Sequence, residues 1–70
     1  MDIRWEDGFR IRTSVKDGEI VITANREGLL SLAGIMTALA EGQNGEHIHL
    51  DENNSLEEGS AELIIDLENL

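Results

Sequence analysis

Phe9-Arg10-Ile11-Arg12-Thr13-Ser14-Val15 alternates apolar or β-branched side chains with polar ones, the period-of-two signature of a half-buried strand. Lys16-Asp17-Gly18 follows, and an Asp-Gly pair readily takes the positive φ angles of a tight hairpin, so Glu19-Ile20-Val21-Ile22-Thr23-Ala24 is predicted to return as a second strand. Ahead of the hairpin, residues 2–5 admit a short extra N-terminal strand, with Glu6-Asp7-Gly8 as its turn.

The period then changes from two to about 3.6. Leu29, Leu32, Ala33, Met36, Leu39 and Ala40 follow the i, i+3, i+4, i+7 rule and form one apolar stripe, which predicts a helix from Arg26 to Glu41. Asn25 is placed to cap its first turn, Glu27 puts a carboxylate at the positive end of the helix dipole, and Gly42 supplies the stop. Gly34 costs about 1 kcal/mol relative to Ala in a helix interior, which points to close approach of a neighbouring element there.

After the helix the alternation resumes. Gly45-Glu46-His47-Ile48-His49-Leu50-Asp51-Glu52 reads as a strand that aligns His47, His49 and Asp51 on one face and Ile48 and Leu50 on the other. Asn53-Asn54-Ser55 continues a polar loop, and residues 60–68 form a last strand with Ala61, Leu63, Ile65 and Leu67 inward and Glu62, Ile64, Asp66 and Glu68 outward. The fold class is α+β, a single domain over residues 1–70. The order is ββαββ, a two-layer sandwich with one helix on a four-stranded, largely antiparallel sheet. The helix covers one sheet face, leaving Arg10, Arg12, Val21, Thr23, His47, His49, Asp51, Glu62, Ile64 and Asp66 on the open one.

Composition sharpens this picture. A chain of 70 residues buries only about 60% of its extended-chain surface, so its core is small or shared with a second copy, and a homodimer is one expectation. No Cys is present, which removes disulfides and thiolate metal sites and suits a reducing compartment. The first residues lack a signal-peptide pattern, and no apolar run reaches the roughly 20 residues of a membrane span, so a soluble, cytoplasmic protein is expected. The net charge of −10 is strongly asymmetric. Residues 1–26 hold all five basic residues against five acidic ones and are neutral, whereas residues 27–70 hold ten acidic residues and no Lys or Arg. Such a field repels nucleic acid and anionic membranes and attracts basic partners.

Candidate chemistry is limited. His47, His49 and Asp51 are residue types that zinc, nickel or iron accept, although two imidazoles at i and i+2 equally serve as hydrogen-bonding strand residues or partner contacts. A nucleophile elbow, a phosphate-cradling Gly loop and a Cys nucleophile are all missing, so no catalytic residue, cofactor or metal is assigned and the chain reads as a non-enzyme. Trp5 either caps one end of the core or stands out as a binding anchor. The loop carrying Asp51, Glu52, Glu57 and Glu58 gathers four carboxylates around one projecting turn.

Three ordered blocks carry a family resemblance. They are Asn25-Arg26-Glu27-Gly28-Leu29-Leu30-Ser31-Leu32-Ala33, then Gly45-Glu46-His47-Ile48-His49-Leu50-Asp51-Glu52, then Leu56-Glu57-Glu58-Gly59-Ser60-Ala61-Glu62-Leu63-Ile64-Ile65. Over roughly residues 20–68 the chain resembles the immunity protein 32 family of bacterial polymorphic toxin systems. The resemblance implies a cytoplasmic, antitoxin-like protein without enzymatic activity that binds and neutralises a cognate toxin domain. Combined with the acidic half, it makes Glu46, His47, His49, Asp51, Glu52, Glu57 and Glu58 the expected partner-binding residues, facing a basic toxin. The alternative reading is a small module that binds metal through His47, His49 and Asp51 or dimerises through an open face bearing Val21 and Ile64.

Overall fold

The structure, a computed structural model, describes residues 2–68. Its elements run β1 (Ile11–Lys16), β2 (Glu19–Ala24), α1 (Arg26–Ala40), β3 (His47–Leu50) and β4 (Leu63–Asp66). The β1–β2 hairpin forms as its sequence dictates: Asp17 and Gly18 take φ of 53° and 79°, and the strands pair antiparallel from Lys16↔Glu19 to Ile11↔Ala24. β3 and β4 pair antiparallel from Leu50↔Leu63 to His47↔Asp66.

The expected four-stranded sheet does not form; there are two separate two-stranded sheets, β1-β2 and β3-β4. The reason lies in the segment that would have joined them. Glu57 N–H donates to the Ile11 carbonyl (2.9 Å) and Ala61 N–H to the Thr13 carbonyl (3.2 Å), so four residues of this segment span two of β1. Gly59, at φ 86°, lies within that excess length. A regular ladder requires residue-for-residue advance, so residues 57–61 hold the free edge of β1 as an irregular strap. Buried Thr13 reinforces the strap: its hydroxyl donates to the Ala61 carbonyl, and its N–H donates to Ser60 Oγ at 3.2 Å. The flanking expectations shorten accordingly. β1 begins at Ile11, β4 covers only Leu63–Asp66, and residues 2–5 form no strand.

α1 begins where Asn25 places it, with Asn25 Oδ1 accepting from Gly28 N–H at 2.8 Å, and ends one residue before the predicted Glu41. Its buried face is Gly28, Ser31, Leu32, Ile35 and Leu39. Of the expected stripe only Leu32 and Leu39 are buried; Leu29, Ala33, Met36 and Ala40 are exposed, so the helix is turned by about one residue, or 100°. The close approach also lies elsewhere. A Cβ on Gly34 would meet open space, whereas one on Gly28 would sit 2.5 Å from the Arg10 carbonyl oxygen and 3.0 Å from both Ala24 Cβ and Ile11 Cγ1.

The core joins Ile11, Leu32, Ile35, Ile48, Leu50 and Leu56, with Trp5, Phe9, Ala24, Leu63 and Ile65 packed around it. Trp5 takes the core role, stacked on Phe9 with ring centroids 4.5 Å apart. The N-terminal segment is pinned by Glu6 N–H donating to the buried Ser31 hydroxyl at 2.8 Å. The molecule is a flat slab of 31 × 31 × 19 Å. Its radius of gyration of 12.3 Å exceeds the about 11 Å expected of a compact 70-residue domain, as a flat shape requires.

Candidate functional site

Alternation in β3 sends Ile48 and Leu50 into the core and leaves His47 and His49 exposed on the outer face, as the sequence predicts. The two rings meet edge to face with centroids 5.0 Å apart. His47 Nδ1 lies 3.0 Å from the Gly45 carbonyl, a contact in which the ring nitrogen donates. His49 Nδ1 lies 3.5 Å from a carboxylate oxygen of Glu62, just before β4. Asp51 does not join the histidines. The strand ends at Leu50, and the Asp51 side chain turns to accept the Asn53 N–H at 2.9 Å. Among the described residues no group of three or more His, Asp or Glu is placed to share a metal ion.

Asp51 instead starts a folded loop. Its carbonyl accepts from the N–H groups of Asn54, Ser55 and Leu56 at 3.2, 3.0 and 2.9 Å. Asn54 closes the turn from the other side: its Oδ1 accepts from Asp51 N–H (3.0 Å) and from the Ser55 hydroxyl (2.6 Å), and its Nδ2 donates to the His49 carbonyl (3.0 Å). Glu52 ties the far side through a 2.9 Å bond from Gly59 N–H. Buried Leu56 roots the loop in the core. These bonds brace an otherwise polar segment, and the residue types Asn, Asp and Ser suit it because their side chains reproduce backbone turns.

The seven candidate contact residues therefore fall into four groups. His47 and His49 form one edge with Glu62 and Asp66 beside them. Asp51, Glu52 and Glu58 line the loop, and Glu58 makes no hydrogen bond or ion pair among the described residues. Glu57 is turned toward Arg10, with Arg10 Nε 2.8 Å from its Oε1, so one of the four loop carboxylates is already neutralised. Glu46 is half-buried at the base of β3, with its carboxylate lying over Gly42. Beside the Arg10–Glu57 pair lies a shallow depression of about 310 Å³ lined by Phe9, Arg10 and the loop from Glu52 to Glu57. Sequence reasoning missed Asn54 as the loop's organiser, although its place in a run of turn formers was a usable signal. Nothing local could have paired Arg10 with a residue 47 positions away.

The sequence model of the Immunity protein 32 family matches residues 19–68, from the start of β2 to the end of the described chain. The chain belongs to the Immunity protein 32 family. No curated protein and no solved structure matches it. The match takes in α1, the histidine strand, the acidic loop and β4, so every candidate contact residue lies within the part that defines membership of Immunity protein 32. No helix among the described residues is long and apolar enough to cross a membrane.

Proposed function

We propose that this Immunity protein 32 member is a cytoplasmic, non-enzymatic inhibitor that binds a cognate basic toxin domain through the acidic surface around Glu46, His47, His49, Asp51, Glu52, Glu57 and Glu58. The observation that carries the reading is the acidic loop itself. It is displayed on the part of the chain that contains no Lys or Arg, and it is held by its own hydrogen bonds rather than left to order on contact. A preformed loop spares the entropy of ordering at association, and a one-signed field accelerates encounter with an oppositely charged partner. Glu58 and Glu52 supply the outward charge; Asp51 and Asn54 shape the turn; the paired imidazoles add a rim that donates or accepts hydrogen bonds.

The test looks in the open reading frame immediately upstream for a large secreted protein and uses its C-terminal domain as the toxin. Co-expression is expected to protect cells from that domain, and the two are expected to co-purify. Replacing Glu52 and Glu58 together by Lys leaves the core untouched, since both are exposed, and is expected to slow association at least about tenfold at low salt. A folded double variant that associates at the wild-type rate would move the contact surface elsewhere.

A further inference from the structure

We propose that the outer edge of β2 is a self-association surface, through which two copies of this chain pair antiparallel to form a continuous β1-β2-β2-β1 sheet. The inference is independent of the toxin-binding reading and concerns the opposite, neutral half of the chain.

The hairpin exposes four large apolar side chains. Val15 is 65% exposed, Ile20 74%, Val21 45% and Ile22 38%, although a strand pair of this composition is normally covered on at least one face. Val15 stands directly opposite Ile20 and Thr13 opposite Ile22, so Val15, Ile20 and Ile22 share the face that buries Ile11 at the other end of the hairpin. The core stops short, and the tip of the hairpin projects past it.

Among the described residues no backbone hydrogen bond reaches the outer side of β2. The Ile11 and Thr13 carbonyls point away from β2, toward Glu57 and Ala61. Opposed residues in an antiparallel ladder face both toward or both away from each other. Ala24 and Ile22, opposite Ile11 and Thr13, and Ile20, opposite Val15, therefore aim their N–H and C=O groups at the open edge. Among the described residues β2 pairs with β1 alone, and a six-residue edge in which four side chains are apolar, without Pro, bulge or inward charge, is a template for another strand.

The charge distribution admits a second copy at this edge. A second copy carries the same −10, all of it outside the hairpin, so two copies meet at least cost through the part whose charges cancel. The register is self-complementary as well. With a two-fold axis at Val21, Ile20 of each copy opposes Ile22 of the other on one face, Val21 opposes Val21 on the other, and Glu19 opposes Thr23, whose neighbour in β1 is Arg12. No carboxylate meets a carboxylate, and the outward groups of Ile20 and Ile22 bond each other across the axis.

Sedimentation equilibrium on the full chain from about 1 μM to about 1 mM tests this, together with hydrogen exchange of the Ile20 and Ile22 amides. The expected result is a rise toward twice 7.7 kDa, with protection of those two amides growing with concentration. Val21→Glu, at an exposed site that places like charges at the axis, is expected to weaken association about a hundredfold with an unchanged circular dichroism spectrum. Ile64→Glu, an equally exposed apolar site on the other sheet, is expected to leave it intact. A monomeric mass throughout, a dimer indifferent to Val21→Glu, or a dimer abolished by Ile64→Glu would overturn the proposal. So would a strictly monomeric chain whose Val21→Glu variant loses toxin binding, since the edge would then belong to the toxin.

Discussion

Replacing Gly28 by Ala and, separately, Gly34 by Ala isolates the contact that orients the helix. Both glycines lie inside α1, so each substitution gains the helix propensity of Ala, about 1 kcal/mol. At Gly34 nothing opposes that gain, because the added Cβ enters open space. At Gly28 the Cβ would lie 2.5 Å from the Arg10 carbonyl oxygen, a backbone atom that no rotamer change can move, and 3.0 Å from Ala24 Cβ and Ile11 Cγ1. Overpacking of this kind costs about 1–3 kcal/mol, which matches or exceeds the propensity gain. Gly34→Ala is therefore expected to stabilise by about 0.5–1 kcal/mol and Gly28→Ala to be neutral or destabilising by up to about 2 kcal/mol. Urea and thermal unfolding of the three proteins read the difference, each kcal/mol moving the midpoint about 4–8 °C for a domain this small. If Gly28→Ala stabilises as much as Gly34→Ala, the helix is not pressed against Arg10 and its described rotation is wrong.

The same rotation predicts that Ile35→Ala costs about 2–5 kcal/mol while Met36→Ala costs under about 0.5 kcal/mol, because Ile35 is 1% and Met36 46% exposed; denaturant midpoints decide it, and the reverse order would restore the sequence-predicted stripe. Asn25→Ala is expected to cost about 1–2 kcal/mol in the same assay, since Asn25 Oδ1 accepts from both Gly28 N–H and Arg10 N–H and its Nδ2 donates to the Gly8 carbonyl. Glu57→Gln is expected to change stability by less than about 1 kcal/mol, the Arg10–Glu57 pair being largely exposed, and a larger loss would show that the strap depends on it. Asn54→Ala is expected to leave the global midpoint within about 1 kcal/mol while raising amide exchange at Asp51 and Ser55; unchanged exchange would deny Asn54 its role in the loop.

The sequence announced what short-range chemistry controls. Asp17-Gly18 fixed the hairpin through two positive φ angles, Asn25 fixed the start of α1, and alternation assigned the inner and outer faces of β3 and β4 residue by residue. What it left open needed long-range contacts. The helix carries two adjacent apolar rows, Leu29-Ala33-Met36-Ala40 and Gly28-Leu32-Ile35-Leu39, and periodicity has no means of ranking them. The choice was made by Gly28, whose missing side chain lets the helix descend onto Arg10 and Ile11. The single sheet failed for a similar reason: the strap at residues 57–61 takes the β1 edge in an irregular register that alternation cannot encode. Of the candidate site, the outward histidines and the acidic character of the loop were legible, whereas the departure of Asp51 from the strand face and the capture of Glu57 by Arg10 were not.

The association rate of the wild-type chain with a toxin domain, measured by stopped flow across ionic strength, decides whether the acidic loop guides capture. The rate is expected to fall steeply as salt rises, toward about 10⁵–10⁶ M⁻¹s⁻¹, with the Glu52→Lys, Glu58→Lys double variant slower at low salt and converging with wild type at high salt. A rate indifferent to salt, or a double variant that tracks wild type at every ionic strength, would contradict it.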